Sequence, residues 1–293
     1  MTEDSVVLKM IINKIEPQGY CQGVINALKI INEAINKNDK IYSLGSIIHN
    51  DFVINDLKNK GVITIEEKGL SRLELLDRIN DGTVVFSAHG VSPLVYEKAK
   101  EKNLNIIDAT CPMVHLVHKK MKEHLDLGYD CIYIGAKGHP ECEGVLGISN
   151  KIHFISNLDD IKDLNIKNDK IYVTNQTTLS IYDIEGLFIE LKNKYKNILI
   201  DDKICNATTV RQKALANQPK CDLCIIVGDK KSSNSLKLYK VSTEIAKVKT
   251  IFVDNLKNLD KELLKDVNIV NISSGASTPS FLVDEIIEYL KKL

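Results

Sequence analysis

Two patterns of apolar residues alternate along the chain. Short apolar runs read as strands, and between them apolar residues recur every three or four positions, as on one helix face. Asn105–Asp108 predicts a strand, and Val114, Val117, Met121 and Leu125 predict the buried face of the helix after it. Pro112 suits the first turn of that helix, and Gly128 suits its end. The same unit is expected from Lys9–Ile15 followed by Val24, Leu28, Ile31 and Ile35, and from Asn197–Ile200 followed by a helical stretch to Gln218. Further strands are expected at 40–44, 62–65, 83–86, 131–134, 171–173, 223–227 and 267–270. Helices are expected at 50–60, 70–79 and 93–102, through Ile181, Ile184, Phe188 and Leu191, and from Pro279 to Leu293. Strands alternating with helices predict an α/β protein with parallel sheets.

Each of the three strand–helix units has a cysteine at its joint: Cys21, Cys111 and Cys205, 90 and 94 residues apart. That period is one small domain. Three pseudo-repeats are therefore expected: 1–103, 104–195 and 196–293, the last carrying the C-terminal helix. The repeat extends beyond the cysteines. His49, His139 and Ser233 lie 28 residues past them, each in a polar loop after a strand. His89, Thr177 and Ser277 form a later set, again after apolar runs. Groups beyond the carboxyl ends of parallel strands are where such sheets act. Three repeats facing one another would bring the cysteines and these loops to one centre.

Composition narrows the chemistry. Lys plus Arg and Asp plus Glu number 39 each, so no broad basic surface for nucleic acid is implied. Met1–Ser5 is short and acidic, unlike a signal peptide, and no apolar run approaches the ~20 residues of a spanning helix. A cytoplasmic protein without a membrane partner is expected. In that compartment seven cysteines point to metal binding or catalysis before disulfides. At helix N-termini, free N–H groups and the macrodipole favour thiolates and bound anions. Three such cysteines suit zinc with an open position, or an iron–sulfur cluster with one iron left for substrate. Glu141, two residues past His139, is the candidate proton donor. Ser232, Ser233 and Asn234 at a helix start, with Ser277, His49 and His89, make a candidate anion site. The set fits a phosphate or diphosphate beside a metal cluster. Cys131, Cys221 and Cys224 read as buried apolar residues, and Cys142 stays outside the ligand set. His118 reads as an ordinary helix-face residue, and His115 and His124 as solvent-facing.

Together these segments resemble the 4-hydroxy-3-methylbut-2-enyl diphosphate reductase family of the non-mevalonate isoprenoid pathway. The matching stretches are Pro17-Gln-Gly-Tyr-Cys21-Gln-Gly, Ile48-His49-Asn50, Ser87-Ala-His89-Gly, Asp108-Ala-Thr-Cys111-Pro and Gly138-His139-Pro-Glu141. They continue with Gln176-Thr177-Thr, Ile204-Cys205-Asn-Ala-Thr-Thr, Ser232-Ser-Asn234-Ser and Gly275-Ala-Ser277, in family order from about residue 10 to 290. The resemblance implies a [4Fe-4S] cluster on Cys21, Cys111 and Cys205, with the substrate's allylic alcohol at the unique iron. It implies reductive loss of that oxygen as water, giving isopentenyl and dimethylallyl diphosphate. It makes Glu141 the proton-delivering acid and Thr177 a hydrogen-bond partner of the alcohol. It assigns His49, His89, His139, Ser232, Ser233, Asn234 and Ser277 to the diphosphate, with His139 also in the proton network. Ferredoxin or flavodoxin is the implied electron donor. Two residues depart from the family pattern: Tyr20 where Phe is usual, and Asn206 where an aromatic residue or His often stands. A three-cysteine cluster enzyme of the quinolinate synthase type is the competing reading. A zinc hydrolase and a cluster-based sensor are weaker ones.

Overall fold

The computed structural model describes residues 9–37 and 40–293, so the acidic start at Met1–Ser5 lies outside the described residues. The described strands are β1 (Ile11–Lys14), β2 (Ile41–Leu44), β3 (Val62–Ile65), β4 (Thr83–Phe86), β5 (Asn105–Asp108), β6 (Asp130–Ile134), β7 (Ile152–Ile155), β8 (Ile171–Asn175), β9 (Ile198–Ile200), β10 (Leu223–Val227), β11 (Thr250–Val253) and β12 (Ile269–Ser274). The helices are α1 (Gln22–Ile35), α2 (Asp51–Asn59), α3 (Arg72–Leu75), α4 (Pro93–Glu101), α5 (Pro112–Asp126), α6 (Pro140–Leu146), α7 (Leu158–Asp163), α8 (Ile181–Lys194), α9 (Asn206–Ala216), α10 (Ser233–Lys240) and α11 (Ser280–Leu290). The strands form three four-stranded sheets in which every pairing is parallel. The expected α/β class with parallel sheets is the observed one.

Contacts divide the chain into two compact units. The unit spanning residues 21–205 holds two sheets, ordered β3-β2-β4-β5 and β7-β6-β8-β9. Residues up to 20 and from 206 onward form the other unit, whose sheet is ordered β1-β12-β10-β11. All three sheets share one topology, and in each an edge strand leads towards a cysteine. β5 precedes Cys111 and pairs with β4; β9 precedes Cys205 and pairs with β8; β1 precedes Cys21 and pairs with β12. Boundaries at 103 and 195 thus leave β5 and β9 on the far side of the cut from the sheets they complete.

Central strands β2, β4, β8 and β10 are buried along their whole length. Parallel strands covered on both faces read as unbroken apolar runs, which is why they stood out in the sequence. β12 was expected at 267–270 but lies two residues later and runs on through Asn271, Ser273 and Ser274, all buried. Its polar side chains are satisfied locally, as where Asn271 Nδ2 donates to Gln218 Oε1 at 3.0 Å. Hydropathy gives no sign of this polar continuation. The helical stretch 70–79 resolves into one turn, α3, and a 3-10 turn. On α1 the buried seam is Val24, Ala27, Ile31 and Ala34, so Leu28 and Ile35 are flanking residues rather than its centre. Leu293 is exposed beyond α11.

Strand ends lie level, which lines up the loops. Leu44, Phe86 and Asp108 are register partners across β2, β4 and β5, and Ile134 pairs with Asn175 across β6 and β8. The loops that follow are stitched by backbone bonds. Ala88 N–H donates to Ile47 O at 3.2 Å, and Cys111 N–H donates to Ala88 O at 3.0 Å.

Candidate active site

Cys21 and Cys111 are the N-cap residues of α1 and α5, and Cys205 immediately precedes α9. All three belong to the 21–205 unit, none is in a disulfide, and each is partly accessible. Gly23 opens space between two of them: a Cβ there would stand 2.7 Å from Cys111 Sγ and 3.8 Å from Cys21 Sγ. Burial is the main influence raising the Cys111 thiol pKa. The Met113 and Val114 N–H groups pull it down, while the Cys205 and Cys21 thiols push it up. The helix terminus therefore acts as expected but loses to burial and to the neighbouring sulfurs. A soft cation reverses that balance, because it binds the deprotonated form of all three. The cysteines fit a group held by three thiolates.

A buried carboxyl group is linked to the Cys205 backbone through Thr177. Cys205 N–H donates to Thr177 O at 2.9 Å. Thr177 N–H donates to Glu141 Oε1 at 2.7 Å, and its hydroxyl donates to Oε2 at 3.0 Å. Tyr133 OH adds a bond to Oε1 at 3.3 Å. Glu141 is 1% exposed, and burial raises its pKa to about 7 against the pull of these donors. Its placement follows from local sequence. His139 caps α6, Pro140 occupies the first turn, and Glu141 comes next.

His49, His89 and His139 cluster, with ring centroids 4.4, 6.0 and 5.6 Å apart. Their nitrogens lie within 4.8 Å of one another, a spacing that also suits a metal ion. The proton positions decide against that use. Backbone N–H only donates, and Glu141 N–H donates to His139 Nδ1 at 3.2 Å, so the His139 proton sits on Nε2. A metal-binding imidazole needs a bare nitrogen, with its other N–H given to an acceptor. Burial holds His89 well below the ordinary histidine range and His139 at about 3, helped by the neighbouring His49. His89 and His139 are therefore neutral rings that can offer N–H groups, a setting for an anion.

The other unit carries the Ser-Ser-Asn loop. Ser232 caps α10 by accepting from Ser235 N–H at 3.3 Å, and Ser277 Oγ donates to Ser232 Oγ at 3.3 Å. Asn234 is 5% exposed, and neither its amide oxygen nor its nitrogen has a hydrogen-bond partner. A buried amide left unsatisfied costs free energy unless a ligand completes it.

Two histidines need revised readings. His115 pairs with Asp108 at 3.2 Å, and His124 stacks on Tyr172 with centroids 3.7 Å apart, so neither simply faces solvent. His118 keeps its helix-face place, where a Cβ at Gly144 would crowd it, with Nε2 buried and unpartnered. Cys131 and Cys224 are buried as expected, Cys221 is only partly buried, and Cys142 donates to Ala136 O at 3.3 Å inside the core. Tyr133 and Gly23 were not singled out from the sequence. A glycine in the first turn of a helix was the available signal for Gly23.

Three parallel sheets, three neighbouring thiols and a buried carboxyl group linked through Thr177 to the backbone of one of those cysteines define an α/β enzyme. The LytB protein family matches residues 12–291, and the chain belongs to that family. It is 47% identical over 288 residues to a 4-hydroxy-3-methylbut-2-enyl diphosphate reductase of Bacillus cytotoxicus, covering 97% of this chain and 91% of the relative. The Geobacillus sp. (strain WCH70) enzyme of the same name is 45% identical over 284 residues, covering 95% and 90%. The solved structure of the E-1-hydroxy-2-methyl-but-2-enyl-4-diphosphate reductase from Plasmodium falciparum superposes with a TM-score of 0.89 at 36% identity, covering 96% of this chain and 88% of that one. The chain is thus an oxidoreductase of this family, which sets aside the quinolinate synthase reading. Among the described residues no helix is long and apolar enough to cross a membrane.

Proposed function

We propose that the protein reduces 4-hydroxy-3-methylbut-2-enyl diphosphate to isopentenyl and dimethylallyl diphosphate. Two electrons and two protons enter, the allylic carbon–oxygen bond breaks, and the oxygen leaves as water. Cys21, Cys111 and Cys205, one from each pseudo-repeat (1–103, 104–195 and 196–293), would hold a [4Fe-4S] cluster. That group, when bound, supplies the electrons and a Lewis-acidic iron lacking a thiolate. Glu141 holds a proton below about pH 7 and delivers it to the departing oxygen. Thr177 fixes both Glu141 oxygens and is the hydrogen-bond partner of the substrate alcohol. His49, His89 and His139 donate N–H groups to the diphosphate, and His139 also orients Glu141 through its Nδ1. Ser232, Ser233, Asn234 and Ser277 are proposed as further diphosphate ligands. Ferredoxin or flavodoxin in the cytoplasm would supply the electrons.

The run of bonds from the Cys205 backbone through Thr177 to Glu141 carries this reading, because it fixes a buried acid relative to a cysteine proposed to hold the cluster. Anaerobic purification with iron and sulfide analysis, then turnover of the hydroxylated diphosphate with a chemical reductant, tests it. About four irons and sulfides per chain with two-electron turnover are expected. Active protein without iron, or iron-loaded protein without turnover, contradicts it.

A further inference from the structure

Arg72 is a charged residue inside the protein that the mechanism above does not use. It opens α3 and is 8% exposed. Its backbone N–H donates to Glu143 Oε1 at 2.5 Å, and its Nη1 donates to Glu143 Oε2 at 2.9 Å. Its Nη2 edge lies against Gly45, where a Cβ would stand only 2.9 Å away. Gly45, at a φ of +78°, begins the loop that leads to His49. Glu143 lies on α6, two residues past Glu141. The guanidinium is therefore held among the elements that carry His49, His139 and Glu141. Its charge also acts on His89 and His139. Its Nε is buried with no partner.

We propose that Arg72 is the cation that receives the substrate's diphosphate. The inference rests on the diphosphate reading and deepens it. The imidazoles of His89 and His139, held below the ordinary histidine range, give N–H donors but no charge, whereas a diphosphate carries several negative charges. A guanidinium has five N–H groups and no acceptor, and planar phosphate recognition is its usual task. Here Glu143 takes one guanidinium N–H, and the Nε–H remains to be satisfied. The Glu143 side chain is 33% exposed against 10% for Arg72, so water screens the carboxylate more than the cation. The pair keeps a positive charge stable inside the protein and leaves part of it for an incoming anion.

Breaking the pair from either end separates this role from that of a simple strut. The probe is inorganic diphosphate titrated calorimetrically into the cluster-loaded protein. Arg72→Met should bind it at least ~10-fold more weakly, as for loss of a hydrogen bond to a charged group, and with less dependence on salt. Arg72→Lys keeps the charge and should retain most of the affinity. Glu143→Gln keeps an oxygen for the Arg72 N–H and removes the competing charge, so it should bind as tightly as the parent or more tightly. A strut predicts that Arg72→Met and Glu143→Gln weaken binding alike, and that result overturns the proposal. Should Arg72→Met fail to fold, the comparison of Arg72→Lys with Glu143→Gln decides: retained affinity in both supports the role, and a loss in Glu143→Gln overturns it. A parent that binds no diphosphate would remove the functional reading as well. A parent that binds, with both ends of the pair equally sensitive, removes only this inference.

Discussion

Glu141 is an acid at neutral pH because protein, not water, surrounds its carboxyl group. With its pKa raised to about 7, the proton-bearing fraction is nearly complete below that pH and falls tenfold per unit above it. Turnover limited by this proton should fall on the alkaline side of about pH 7. Glu141→Gln should keep its cluster and bind substrate but turn over at least ~100-fold more slowly, with no such fall. Near-normal turnover would remove Glu141 from the mechanism. Stability follows the same proton. A raised folded pKa means that its contribution is full below the ordinary carboxylate range and is lost as pH rises through about 7. Melting curves should show the Gln variant losing less stability than the parent across that window. Asn234 gives a complementary case. Asn234→Ala should bind inorganic diphosphate about 10–100-fold more weakly, the ~1.5–3 kcal/mol of a hydrogen bond to a charged group. Its ligand-free stability should be unchanged or higher, since the variant removes a buried amide that has no partner. Unchanged diphosphate affinity would place the anion elsewhere.

Helix starts do much of the positioning. Asn50 caps α2 by accepting from Val53 N–H at 3.2 Å, one residue past His49, and His139 caps α6 just before Glu141. Caps orient the residues beside them because the first helical N–H groups must find acceptors. Gly23, in the first turn of α1, is a site where packing overrides propensity. Alanine favours a helix over glycine by about 1 kcal/mol. Yet Gly23→Ala would drive a methyl group to 2.7 Å from Cys111 Sγ. The variant should fold with normal circular dichroism and melt no lower without its cluster, but take up much less iron on anaerobic reconstitution. Full iron uptake would show that the Cys21–Cys111 space is not used by the cluster.

At the scale of the whole molecule, each sheet is finished by a strand that belongs, in the sequence repeat, to the next unit. β1 is the clearest instance: the chain's beginning pairs with β12, near its end, through Ile11–Lys14. Asn13 Nδ2 also donates to Asn271 Oδ1 at 3.0 Å. Removing residues 1–14 should strip that edge and lower amide-exchange protection in β12, even though no proposed site residue is deleted. Undiminished protection would mean that β1 adds nothing to the sheet. Cysteine replacements test the same architecture. Cys21→Ser, Cys111→Ser and Cys205→Ser should each lose cluster absorbance and activity, whereas replacing Cys221 and Cys224 together by Ala should leave the absorbance nearly intact. Loss of iron from the double variant with retention in Cys21→Ser would reverse the assignment.

The order of elements was legible in the residues because a buried parallel strand and an amphipathic helix each leave a local mark: the run Leu223–Val227 in one case, Val114, Val117 and Met121 in the other. The repeat was legible too, since equal spacing placed a cysteine and its polar loops at matching points. Strand partners were not. Nothing local to Ile11–Lys14 says that its neighbour is Ile269–Ile272, because parallel pairing joins segments far apart in sequence. The chemistry of single groups was hidden for the same reason. The raised pKa of Glu141 comes from burial, which outweighs the opposing pull of donors on Tyr133 and Thr177, residues on other strands and loops. The place of Arg72 among Gly45, Glu143 and the histidines arises only when separate elements pack. The chain's sequence by itself determined its elements and which residue types stand at the strand ends; tertiary structure decided which of them are desolvated and which share a proton, because both depend on neighbours that only folding brings close.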